Sequence, residues 1–349
     1  MHHFKVSLML GALLQLAALP STAFASTGEI LFTSNRHGGS FELYRMAADG
    51  AQVRRITPER GEASDMSWSP DGSKVLYVAR RDRKVDVYVT STADGSTQRL
   101  THDALPSAMP VWAPDGKTIA FVSMREGSRK IYLMAADGSQ QRRLTQNDGD
   151  DEIAPRFSPD GKRLAYMAAN EKVTPRVSVS DLQTGVARIV SNTPIGSFET
   201  PPTWSPDGQR LTFSVIKSGT GQIVSMRADG SDRRQLTQAE ARHNSPQWSP
   251  DGKSILYTAV PADAMFQSIY VMDADGKNSR KVYGGAREVL TARWSERGER
   301  IVFVELSADG SKIFSVDTQG LLPQRLSDDS GADTGLEVCC NQARATLDR

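Results

Sequence analysis

Short apolar runs, rich in β-branched and aromatic residues, recur along the chain and are bounded by Gly, Asp and Pro. The stretch from Trp112 to Thr145 shows the pattern. One run ends at Trp112, and Ala-Pro-Asp-Gly follows. Thr118-Ile-Ala-Phe-Val122 is the next run. A polar stretch, Met124 to Ser128, leads to Lys130-Ile-Tyr-Leu-Met134, and Ala136-Asp137-Gly138 leads to Arg142-Arg-Leu-Thr145. Alternating polarity between such turn residues predicts strands. We letter them a to d, with the aromatic closing strand a. Asp-Gly between c and d is a strong hairpin signal. In the a–b turn, Pro presets φ, Asp bonds the local backbone and Gly takes the positive φ.

The whole unit repeats. Trp68-Ser-Pro-Asp-Gly72 returns at Trp112, Phe157, Trp204 and Trp248, and in worn form as Trp294-Ser-Glu-Arg-Gly298, at steps of 44, 45, 47, 44 and 46 residues. A period near 45 predicts a propeller or another repeat array. Strands b, c and d occur seven times, beginning at Ile30, Val75, Ile119, Leu164, Leu211, Ile255 and Ile301. The first unit lacks its own strand a. The C-terminal Gly335-Leu-Glu-Val-Cys-Cys340 lines up as the missing strand, with Cys339 at the position of Phe157. The expectation is an all-β fold, a β-propeller of seven four-stranded blades closed by the C-terminal strand. Six blades with an accessory hairpin is the alternative. The repeated aromatics read as wedges between blades.

Residues 1–25 stand apart. His2, His3 and Lys5 precede an apolar run, Val6 to Leu19, and Ala23-Phe24-Ala25 precedes Ser26. That is the layout of a cleaved secretory signal. We therefore expect a single domain over 26–349 in an exported, periplasmic protein, or alternatively a secreted one. No later stretch is apolar enough to span a bilayer. Lys+Arg is 42 against 41 for Asp+Glu; this balance argues against non-specific nucleic-acid binding. Cys339 and Cys340 are the only cysteines. As sequence neighbours they can bridge only through a strained ring.

The aligned residues resemble the repeats of TolB-type β-propellers. Met134-Ala-Ala-Asp-Gly138 with Arg143-Leu-Thr145, and Met272-Asp-Ala-Asp-Gly276, carry the likeness, which runs from Glu29 to about Gln342. The same repeat occurs in peptidase propellers and in a metal-dependent oligogalacturonate lyase. TolB carries an α/β domain before its propeller, and the propeller here begins soon after the expected cleavage point. The resemblance implies a periplasmic propeller whose face binds another envelope protein, as the TolB propeller binds the peptidoglycan-associated lipoprotein. The chain is expected to act as a monomer, without cofactor or metal.

Chain direction puts the uniform a–b and c–d turns on one face and the variable d–a and b–c loops on the other. Binding residues concentrate on variable loops over a rigid scaffold. The partner-binding candidates are His102, Asp148, Asp150, Asp151, Glu152, Glu199 and His243, an acidic mouth. Basic b–c loops stand beside it: Arg80, Arg81, Arg83, Lys84, Arg125, Arg129 and Lys130. Such charge suits a charged protein partner. No H-E-x-x-H, Cys-x-x-Cys or G-x-S-x-G occurs, so a catalytic role is not expected. The alternative is a carbohydrate-active or metal-dependent propeller enzyme, or a glycan-binding module. It would draw on His243, Gln247 and His102, or on the loop aromatics Phe198 and Phe266.

Overall fold

The computed structural model describes residues 28–58, 61–146, 151–170, 173–194, 196–238 and 240–339. The expected signal sequence, Asp148, Asp150 and Cys340 lie outside the described residues. Among those described, every regular element is a strand.

Five sheets hold four strands each. A sixth, of nine strands, divides into two further units joined by one parallel pair, Gly221 with Arg242. In the second unit Ala63–Trp68 (a), Lys74–Arg81 (b), Lys84–Ser91 (c) and Thr97–Arg99 (d) pair antiparallel in that order. The strands were expected to alternate in polarity. Instead Val75 to Ala79 and Asp86 to Thr90 are buried on both faces, because each unit is sandwiched between two others. Strand d is short and exposed in most units, as in Arg54–Arg55, which leaves little edge for another chain to pair with. In the fifth unit Pro201 and Pro202, which lack an N–H, separate strand a into Phe198–Glu199 and Thr203–Trp204.

The first unit takes its strand a from the C-terminal side. Asp333–Val338 pairs antiparallel with Glu29–Ser34. The register corrects the alignment by one residue. Ile30 faces Val338, as Val75 faces Trp68, so Val338 holds the aromatic position. Cys339, which is disulfide-bonded, holds the serine position: its N–H donates to Glu29 O, as Ser69 N–H donates to Lys74 O.

Seven apolar clusters fill the spaces between consecutive units. Trp68 and Tyr77 of the second unit pack with Leu31, Leu43 and Ile56 of the first. Val302, Val304 and Ile313 of the seventh pack with Ile30 and Phe32 of the first, so the ring closes. The a strands pack on one another along the ring, which makes them innermost, around a central channel.

The turn face is stitched by repetition. Ser69 Oγ donates to Asp71 Oδ1 (2.6 Å) and accepts the Lys74 N–H (2.9 Å). Serine and aspartate pair in the same way at Ser158–Asp160, Ser205–Asp207 and Ser249–Asp251. The turn glycines Gly116, Gly161, Gly208, Gly252 and Gly298 each back onto the preceding turn's proline. A Cβ on Gly298 (φ 72°) would stand 3.0 Å from Pro250 Cδ.

Candidate functional site: the loop face and the channel

Among the described residues the expected acidic mouth does not face solvent as a group. His102 is exposed. Asp151 is part-exposed and pairs with Arg129 at 2.8 Å, which holds its carboxyl below the usual range. Glu152, Glu199 and His243 are buried at 0%, 5% and 5% exposure. All three open strand a of their unit, where alternation turns them toward strand c of the preceding unit.

Glu152 Oε2 accepts the Ile131 N–H (3.1 Å), and its other oxygen accepts the Thr145 hydroxyl. Burial pushes its carboxyl up, against these bonds and Lys130. Glu199 Oε2 accepts the Val177 N–H (2.8 Å) and Ser191 Oγ (2.6 Å). Its Oε1 accepts the Thr193 hydroxyl and stands 3.7 Å from Arg176 Nη1. The His243 ring bonds Gly221 O through Nδ1 (2.8 Å) and lies against Tyr257, and burial lowers its pKa below 6.5. These side chains strap one unit to the next. The legible signal was the Thr or Ser closing strand d, seven or eight residues before the acid in Thr145–Glu152 and Ser191–Glu199.

The basic loops are also partly neutralised. Arg80 pairs with Glu62 (3.6 Å) and Arg125 with Asp103 (2.6 Å), and Lys130 is buried. Clefts of about 470 and 310 Å³ repeat one chemistry in the second and first units: Arg81, Tyr88 and Arg99, then Arg36, Tyr44 and Arg55. Arg99 pairs with Asp86, Arg55 with Glu42 and Arg36 with Asp333. These arginines are committed to neighbouring carboxylates.

The loop face also presents apolar side chains. Leu105, Met124, Phe198, Met265, Leu290 and Leu306 are 37–86% exposed. All six lie in or beside d–a and b–c loops. Of these, only Phe198 stood out in the sequence; Phe266, its companion there, is half-buried.

The channel carries a second pattern. One residue per unit, next to the aromatic or its equivalent, stays open to solvent: Ser67, Val111, Arg156, Thr203, Gln247, Arg293 and Glu337. Three reach the next unit's inner strand. Thr203 Oγ1 donates to Pro246 O (3.1 Å), Gln247 Nε2 to Ala292 O (2.8 Å), and Arg293 Nε stands 3.7 Å from Glu337. Bulges roughen the same wall, with positive φ at Asp65, Met109, Ala154, Ser245 and Gly335. Water reaches Arg156 and Glu337, yet protein surrounds both. Loss of hydration pushes the Arg156 guanidinium down and the Glu337 carboxyl up. Among the described residues no group of three or more His, Cys, Asp or Glu stands together as a metal would need, and no helix is long and apolar enough to cross a membrane.

Comparison with known proteins agrees with this architecture. The family model of the TolB beta propeller domain matches residues 58–153 and 147–334. A protein TolB homolog from Chlorobium luteolum is 32% identical over 266 residues, which are 76% of this chain and 59% of that protein. The chain thus spans less than two thirds of that relative's length. The crystal structure of TolB from Acinetobacter baumannii superposes with a TM-score of 0.56 at 24% identity, covering 73% of this chain and 63% of that one. Oligogalacturonate lyase from Vibrio parahaemolyticus gives 0.64 at 14% identity, covering 81% of each. These two likenesses speak for the fold alone. The inner-strand ring, the repeated turns and the extent of the family match lead to one assignment: the chain belongs to the TolB β-propeller family.

Proposed function

We propose that this protein is an exported, periplasmic propeller that docks another envelope protein on its loop face and performs no catalysis. The observation that carries the reading is the placement of exposed apolar side chains. Leu105, Met124, Phe198, Met265, Leu290 and Leu306 stand exposed in or beside the variable loops of one face, and binding residues concentrate on variable loops over a rigid scaffold. The ion pairs Arg125–Asp103 and Arg129–Asp151 form a polar surround that suits register and steering more than affinity. Family membership supports a partner of the envelope, with a peptidoglycan-associated lipoprotein as the first to try. The signal-like residues 1–25 support export.

The test is affinity capture from a native envelope fraction. Wild type is compared with Leu105→Asp, Phe198→Asp and Leu290→Asp, with Leu321→Asp/Leu322→Asp on the opposite face as control. An envelope protein recovered by wild type and the control, and lost with the loop-face variants, is the expected result. Recovery undiminished by the loop-face changes, or lost equally with the control, refutes the reading.

A further inference from the structure

Among the described residues, the channel belt contains one charge whose role the fold does not explain. Arg293 is matched by Glu337 at 3.7 Å. Asp65, from the second unit, accepts the Met109 N–H at 3.1 Å. Arg156, from the fourth unit, makes one side-chain hydrogen bond among the described residues, from Nη1 to the carbonyl of its own neighbour Pro155 (2.9 Å). No described carboxylate lies within 4.0 Å of it. The charges it does sense are Glu337, Arg293 and Asp65. They belong to the first, seventh and second units, so the guanidinium faces the channel interior and the far wall.

A guanidinium carries five donors in a planar fork that matches a carboxylate in two-point geometry. Here most of that fork is uncommitted. It is open to solvent and walled by protein, where hydration is depleted and an anion is held more strongly than at an open surface. Its pKa is lowered by that same enclosure, so an arriving anion relieves a cost already present. We propose that the central channel is an oxyanion site in which Arg156, backed by Arg293, binds one carboxylate group. The site stands independently of the loop face. The carboxylate has two possible sources, a free polycarboxylate or an acidic side chain presented by a bound chain.

The test is calorimetric titration of the full chain at fixed ionic strength in chloride. Citrate stands for the free source, and a blocked pentapeptide with a single central aspartate stands for the presented one. At least one probe is expected to bind wild type. Arg156→Gln should weaken it by about tenfold or more, the scale of a lost charge-assisted pair. Arg293→Gln should weaken it several-fold, and Arg156→Lys should weaken it less than Arg156→Gln. Arg234→Gln, an exposed arginine paired with Asp232, should leave binding unchanged. Arg156→Lys also guards against a folding defect, since it keeps the charge in place. Citrate binding alone assigns a free ligand, and peptide binding assigns a presented side chain; either upholds the site. Binding of neither probe, or equal binding by wild type and Arg156→Gln, overturns it.

Discussion

Phe198 and Glu199 are sequence neighbours on one short strand, and the structure predicts opposite consequences for changing them. Glu199→Ala removes the acceptor of the Val177 N–H, Ser191 Oγ and the Thr193 hydroxyl. It also strands Arg176, whose side chain is 13% exposed, without its partner at 3.7 Å. Val177 N–H keeps Ser191 Oγ at 3.0 Å, so no backbone donor is orphaned. The dominant loss is the broken buried pair, about 3–5 kcal/mol. For a domain of this size that is a drop in Tm of roughly 5–8 °C. Glu199→Gln keeps one carbonyl acceptor and the shape, and should cost about half as much. Phe198→Asp alters a side chain already 47% exposed and should stay within about 1 kcal/mol of wild type, while abolishing partner capture. Urea unfolding with a double-mutant cycle through Arg176→Ala measures both the total and the coupling. Glu199→Ala within about 1 kcal/mol of wild type would refute the strap.

Three further outcomes follow from the same geometry. Trp204→Ala empties an inter-unit wedge and removes the indole bond to Arg156 O (3.0 Å), so it should cost about 3–5 kcal/mol in chemical denaturation. Gly298→Ala combines a positive φ with a 3.0 Å approach to Pro250 and should destabilise more than Gly39→Ala, where φ is also positive but nothing lies within 4 Å; paired thermal melts check the order. His243 is held neutral by burial, with a folded pKa below 6.5. The unfolded chain therefore binds the proton first, and its contribution to stability is complete above pH 6.5 and is lost as pH falls below it toward the folded value. Melting temperature should decline over that window in wild type and less steeply in His243→Gln, and parallel slopes would count against it.

Much of the architecture was legible because its signals are local. Trp68-Ser-Pro-Asp-Gly72 and its copies name a turn whose Ser–Asp bond and glycine φ depend on five consecutive residues. Their spacing alone announces a ring of repeats. Even closure by the C-terminal strand was readable, because one unit lacked strand a and the tail had nothing else to pair with. The error there was one residue, Val338 for Cys339, since a tail without the aromatic carries no marker of register.

Exposure on the loop face was not legible, and the reason is physical. In an isolated sheet, alternation separates inside from outside. Between two neighbouring units both faces are interior, so alternation at Glu152, Glu199 and His243 chooses only which neighbour a side chain meets. Whether an acid at the start of strand a meets water or the Ile131 and Val177 N–H groups depends on strand c of the unit before it, some 20 residues away in sequence. The channel is more remote still. Arg156, Arg293, Glu337 and Asp65 come from four units and share one space only because the ring closes. The sequence by itself determined the repeat, the turn chemistry and the strand order. The tertiary structure decided which charges are spent holding units together and which face the channel.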